Sequence, residues 1–294
     1  MNPLSTPMME QACTFGSEAH LTGVYTPTTS DAGDTPCVLY ITAGLLHHIG
    51  PTRLHVETAR ALTENAIAGF RFDLSGAGDS ETSALGGYFA ERSVSEIKQA
   101  ITYLQAQFGH TRFVLAGLCS GADDALATAA ADERVSGLVL LNGYSYPAGH
   151  FTLFRWLKFY LPRLLMWEKL ANRAKRLYSK NNVTAAATHD ELALKDLDDD
   201  YRYIPPKEET EKLLKSLVSQ QVDMLLVYTG SEHESYTYKG QLRAMFPSLA
   251  DSPRVTEYYA QMADHTFILE SDRQQLIQQI RLWVEKSSLQ RRAG

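Results

Sequence analysis

Between residues 36 and 141 the sequence alternates between short apolar runs and segments with helical spacing, and this alternation narrows the fold more than any other feature. The runs at 36–43, 68–74, 112–118 and 135–141 are rich in strand formers and read as strands buried on both faces. Between them, Leu54, Val56, Ala59, Leu62 and Ala66 recur at helical spacing over 53–66. Ile97, Ile101, Leu104 and Phe108 do the same over 94–108, and 121–131 is Ala-rich. Strand–helix–strand units of this kind are right-handed and build a mostly parallel central sheet flanked by helices. An α/β fold is therefore expected. At the start, 10–26 reads as two short strands broken near Gly16–Ala19, a hairpin at the sheet edge.

The alternation stops at 145–205 and then resumes. A helix is expected at 207–220, a strand at 222–229, a helix near 239–246, a strand at 254–261 and a last helix over 272–286. The chain is 294 residues long and 44% hydrophobic, enough for one large core with an insertion. The expected organisation is a core of 1–144 plus 206–294, interrupted by a helical lid at 145–205. Within the lid, 151–180 carries eight Lys/Arg against the single acid Glu168, together with Trp156, Phe159, Tyr160, Leu164, Leu165 and Trp167. Pro162 should kink or divide that segment. Asp196, Asp198, Asp199 and Asp200 form an acidic patch after it.

A formal net charge of −6 gives no general footprint for nucleic acid. Cys13, Cys37 and Cys119 are odd in number and widely spaced, which argues against a disulfide framework or zinc site and fits a reducing compartment. No signal peptide and no membrane span are read from the chain, so a cytoplasmic protein is expected. No cofactor is expected.

The chemistry centres on Gly117-Leu118-Cys119-Ser120-Gly121, where a buried run gives way to the Ala-rich helix. A nucleophile at such a junction occupies a tight, strained turn, with small residues two before and two after it. The helix N-terminus behind it favours an anionic intermediate. With Gly117 and Gly121 as the flanking pair, the central residue is Cys119. Ser120 is the rival, but it would need Leu118 and Ala122 in the flanking roles, and leucine is bulky there.

These residues resemble the α/β-hydrolase superfamily over nearly the whole chain. The elbow matches Gly117, Cys119 and Gly121. The superfamily's D-x-x-G-x-G-x-S turn matches Asp73, Gly76, Gly78 and Ser80, and its late histidine matches Asp264-His265 within Ala263-Asp264-His265-Thr266-Phe267. More narrowly, the cysteine elbow with the 263–267 motif is similar to hydrolases associated with exosortase and exopolysaccharide systems. Dienelactone hydrolases also use cysteine at this position. The resemblance implies an α/β-hydrolase fold with His265 as general base and a carboxylate after the 222–229 strand, Glu232 or Glu234, with Glu232 preferred. It implies an oxyanion hole made by the backbone N–H of Ser120 and one from the loop 43–48, with Leu45 as the candidate donor and Gly44 permitting the bend. Gly44, His47, Trp156 and Tyr160 are candidate substrate-binding residues. His47 and His48 suggest a metal, but adjacent histidines are expected to point in different directions and no carboxylate pattern accompanies them, so none is assigned. Asp73, Gly76, Gly78 and Asp79 are read as holding their turn.

The activity so implied is acyl transfer through a Cys119 acyl-enzyme on a small-molecule acyl substrate, with water as acceptor in an esterase or thioesterase. The alternatives are an acyltransferase or cyclase using the same Cys–His–Glu site, and a non-catalytic binding protein on the same fold. The basic lid suggests a donor linked to acyl carrier protein or CoA.

Overall fold

The computed structural model describes residues 9–28, 35–83, 89–161 and 202–292. Their strands are β1 (Gln11–Phe15), β2 (Leu21–Thr26), β3 (Cys37–Ile41), β4 (Gly69–Phe72), β5 (Phe113–Leu118), β6 (Val135–Leu141), β7 (Asp223–Thr229) and β8 (Val255–Ala260). They join in one sheet of order β1-β2-β4-β3-β5-β6-β7-β8. From β4 across to β8 every pairing is parallel, whereas β1–β2 and β2–β4 are antiparallel. The β1–β2 hairpin turns at Gly16 and Ala19, both with positive φ.

Both faces of the central strands are buried, and alternate residues serve different layers. In β5, Phe113 and Leu115 join the cluster containing Ile97, Leu104, Ala122 and Leu214. Val114, Ala116 and Leu118 join the cluster containing Leu54, Leu62, Leu276 and Trp283. The first layer is supplied by α2 (Phe89–Phe108), α3 (Ser120–Ala131) and α5 (Lys207–Ser219). The second is supplied by α1 (Leu54–Thr63) and α7 (Glu270–Arg292). A short α4 (Phe151–Arg155) runs into a π turn over Trp156–Tyr160, and α6 (Gln241–Met245) precedes β8.

Several boundaries differ from the sequence reading. The helix expected over 53–66 ends at Thr63, because Ala66 adopts a positive φ in the turn into β4. The second helix begins at Phe89 rather than 94, and the last runs to Arg292. The helix expected near 239–246 is cut to Gln241–Met245, since Pro247 cannot continue it and opens a separate turn. Of the expected lid, 145–161 and 202–205 are described, and 145–161 includes α4. Pro162, the basic residues from Arg163 to Lys180 and the acidic patch at 196–200 lie outside the described residues.

The chain visits β4 on one side of β3 before crossing back to β5 on the other. The C-terminal ends of β3 and β5 therefore lie where the winding direction reverses, the place where open α/β sheets form a crevice. The loops after β3 and β5 carry Gly44 and Cys119.

Candidate active site

Cys119 sits at the apex of the β5–α3 turn with φ 54° and ψ −120°, a conformation costly for any residue with a Cβ. The turn is held on both sides. Cys119 N–H donates to Leu141 O at 2.8 Å, and its own carbonyl accepts from Ala122 N–H and Asp123 N–H at 3.0 and 3.3 Å. The flanking glycines are required by close backbone approach. A Cβ on Gly117 would lie 2.1 Å from Gly121 O, and one on Gly121 would lie 2.7 Å from both Ile41 O and Thr42 O. Ser120 is the first residue of α3, and its hydroxyl accepts the Gly44 N–H at 3.0 Å. That bond spends the Ser120 side chain on joining the elbow to the β3 loop.

His265 lies in the loop after β8, and its Nδ1 is 2.6 Å from Glu232 Oε1. Glu232 follows β7 and is turned inward by its N–H bond to Thr229 O, whereas Glu234 is exposed. The imidazole also interacts with the Cys119 thiol. This interaction and the bond to Glu232, against the opposing effect of burial, push the His265 pKa up to about 10. Burial raises the Cys119 thiol, but His265, the Arg202 charge and the Ser120 N–H outweigh it, and its pKa is lowered overall. The thiolate–imidazolium form is thus favoured from the depressed Cys119 pKa up to about pH 10, above which the histidine loses its proton. Glu232→Gln is expected to lower the His265 pKa and so move the alkaline limb of acyl turnover, which needs the imidazolium proton, to lower pH, while Glu234→Gln leaves it in place. Turnover rates across the pH range distinguish the two.

Sequence reasoning missed three residues here. Asn142, at the end of β6, has φ 49°, and its Oδ1 accepts Thr229 N–H and Oγ1–H at 2.9 and 3.2 Å. Its Nδ2 donates to His265 O at 3.3 Å. It therefore ties the ends of β6 and β7 to the histidine loop. Asp123 stands one helical turn after Cys119, a spacing visible in the sequence. Its carboxylate accepts Arg202 Nε–H and Nη2–H at 2.6 and 2.9 Å. Arg202 Nη1 reaches Cys119 Sγ at 3.5 Å, and Nη2 also donates to Asn142 O at 3.2 Å. No local pattern marks Arg202.

In the loop after β3, Gly44 has φ +54° and makes the bend. The Leu45 side chain is 79% exposed. His47 and His48 differ from the sequence expectation. Their rings lie 4.0 Å apart, and two carboxylates do accompany them. Asp73 is fully buried and accepts His48 N–H at 2.5 Å, His48 Nδ1–H at 2.7 Å and Asp79 N–H at 2.9 Å. His47 Nε2 is 3.2 Å from Asp79 Oδ2. Ligand atoms of His47, His48, Asp73 and Asp79 all lie within 4.8 Å of one another, the one metal-capable group among the described residues. Asp73 already accepts three N–H groups, so its role in the fold is to clamp the β3 loop to the β4 turn. The sequence could not show this because 25 residues separate Asp73 from His48.

Trp156 and Tyr160 lie on the turn after α4, about half exposed, with the Arg155 guanidinium 5.9 Å from the Tyr160 ring. Of the cations expected in the lid, Lys158 donates to Thr237 O at 2.7 Å and lies 5.0 Å from the Tyr259 ring centre. Arg155 and Lys158 are thus engaged within the chain. No helix among the described residues is long and apolar enough to cross a membrane.

No family model matches the sequence, and no curated protein matches it. Solved structures do. An esterase of Pyrococcus furiosus aligns over 95% of this chain and 90% of its own, with TM-score 0.60 at 12% identity. A proline iminopeptidase of Mycobacterium smegmatis aligns over 96% and 99%, with TM-score 0.55 at 11% identity. Mouse alpha/beta hydrolase domain-containing protein 10 aligns over 94% and 99%, with TM-score 0.50 at 18% identity. This chain has the α/β-hydrolase fold. In the terms of that fold, Cys119 occupies the strand-to-helix elbow, and Glu232 and His265 follow the next-to-last and last strands.

Proposed function

We propose that this protein is an acyl-transfer hydrolase of the esterase or thioesterase type, acting through a Cys119 acyl-enzyme. The observation that carries this reading is the cysteine at a strained elbow, whose thiol interacts with a histidine that is itself 2.6 Å from a half-buried glutamate. Strain at the apex and a depressed thiol pKa at one residue are the marks of an activated nucleophile rather than a structural cysteine. The two other cysteines, Cys13 and Cys37, are buried, and burial raises the Cys37 thiol.

In the proposed reaction the Cys119 thiolate attacks the carbonyl carbon of an ester or thioester. The oxyanion is taken by the Ser120 N–H at the start of α3 and by the Leu45 N–H of the β3 loop. His265 gives its proton to the departing alcohol or thiol. It then takes a proton from water, which attacks the acyl-enzyme and restores the thiol and the carboxylic acid. Glu232 holds the imidazole by Nδ1 and stabilises its charged form. Three free thiols suit a reducing setting such as the cytoplasm.

The test is acyl trapping. The protein is mixed briefly with an acyl thioester, quenched in acid and mapped by peptide mass. The expected result is one acyl group on Cys119, absent in His265→Ala, with release of free acid on longer incubation. Acylation of Ser120, or no adduct together with Cys119 alkylation no faster than that of Cys13, would overturn the reading.

A further inference from the structure

Arg202 offers the nucleophile more than charge. Its guanidinium has five N–H groups in a fixed fork. Nε–H and one Nη2–H go to Asp123, and the other Nη2–H goes to Asn142 O. One Nη1–H reaches Cys119 Sγ at 3.5 Å, and Nη1 has no other acceptor among the described residues. The fork is fixed from behind by the Asp123 pair and lies over the Tyr144 ring at 5.7 Å. Its side chain is only 23% exposed. One cationic donor pair, held rigid and half-dry, therefore faces the reacting sulfur.

Strand order fixes the side on which it stands. Gly44 and Leu45 follow β3, on one flank of the β5 elbow. Asn142 and Tyr144, which hold Arg202, follow β6 on the other flank. The tetrahedral carbon formed by attack has four substituents: Sγ, the oxyanion, the leaving group and the acyl chain. The oxyanion belongs with the β3 loop, and the leaving group must lie beside His265 to receive its proton. Arg202 reaches Asn142 O and Asn142 Nδ2 reaches His265 O, so Arg202 borders the leaving-group side as well. The acyl chain is taken as the substituent it meets. When Sγ is esterified it loses its negative charge, and a neutral thioester sulfur is a poor acceptor, so Nη1 needs a new partner.

We propose that Arg202 Nη1 is an anion subsite that selects acyl donors bearing a carboxylate a few bonds beyond the scissile carbonyl, as in a hemisuccinyl thioester. The subsite rests on the Cys119 acyl-enzyme reading for its substrate, but its anion preference exists independently of turnover. It also assigns Asp123 a positioning role: without it the guanidinium has no carboxylate to fix its plane.

Two near-isosteric reagents test this directly. Iodoacetate and iodoacetamide both alkylate the thiolate with loss of iodide, and only the first places a carboxylate beside Nη1. Because both consume the same thiolate, the ratio of their rates at Cys119 is insensitive to a change in thiol pKa. The expected ratio for the wild type exceeds that for Arg202→Gln by about tenfold, the factor that one charge-assisted hydrogen bond carries, and Arg202→Lys retains much of it. Arg202→Gln combined with Asp123→Asn removes the buried pair as a unit, so it serves if the single variant does not fold. Equal ratios in wild type and variants overturn the subsite.

A second arm compares turnover of hemisuccinyl and butanoyl thioesters. A preference for the hemisuccinyl donor that disappears in Arg202→Gln supports the proposal. Turnover of both donors with no Arg202-dependent preference overturns it while leaving the Cys119 mechanism standing. An Arg202-dependent alkylation ratio without turnover of either donor supports the anion subsite and counts against the acyl-transfer reading.

Discussion

Cys119→Ala should remove acyl turnover by roughly four orders of magnitude or more, the scale on which loss of a nucleophile registers when its partners act as a unit. The site gives this substitution an unusual companion. Cys119 holds φ 54° and ψ −120°, which glycine adopts freely and alanine does not. Cys119→Gly should therefore be as inactive as Cys119→Ala yet more stable than it by about 1 kcal/mol. Thermal or urea unfolding of the two inactive proteins reads the difference without any assay of function. Equal stabilities would mean that the elbow relaxes when the thiol is gone, and would remove the argument that backbone strain there is held for chemistry. Retention of turnover in either variant would place the nucleophile elsewhere.

Gly117→Ala should be among the most damaging single changes in the chain. Its Cβ would stand 2.1 Å from Gly121 O and 2.3 Å from Gly121 C, both backbone atoms of the helix start. Nothing flexible can move aside. β5 is paired on both sides, with β3 and β6, so the strand cannot retreat, and α3 is fixed against β3 by Gly121 itself. Overpacking of this kind costs about 3 kcal/mol or more. The expected results are a large loss in unfolding free energy and, in any protein that does fold, a Cys119 that alkylates no faster than an ordinary thiol. A folded Gly117→Ala protein with full Cys119 reactivity would show that the strand-to-helix approach is looser than the backbone indicates.

The elbow and the sheet were legible because their causes are local. Burial of β5 on both faces makes 112–118 a continuous apolar run, and the tight turn demands small residues at 117 and 121, whatever the rest of the chain does. The same locality explains where boundaries slipped. Helix ends at Thr63 and Met245 depend on a positive φ at Ala66 and on Pro247, single residues that periodicity averages over.

The sequence also narrowed the carboxylate near His265 to two glutamates and preferred Glu232, but nothing local to the chain separates them. Glu232 and Glu234 are two residues apart in one loop. Only the folded turn, with Glu232 N–H on Thr229 O and Tyr236 N–H on Glu232 O, sends the first inward and leaves the second in solvent. The histidine pair misled for a related reason. Adjacent side chains diverge in a regular strand, but the loop after β3 is not one, and Asp73 draws both the backbone and the ring of His48 to itself from the next strand.

What the sequence by itself determined is the alternation of strand and helix and the place of the strained elbow, because sterics and burial act on neighbours within a few residues. Arg202 on Asp123, 79 residues apart, and Asn142 on the His265 loop, 123 residues apart, were decided only by tertiary structure. A pairing across that distance leaves no period in the chain. It exists only once the sheet has brought the ends of β5, β6, β7 and β8 to one rim.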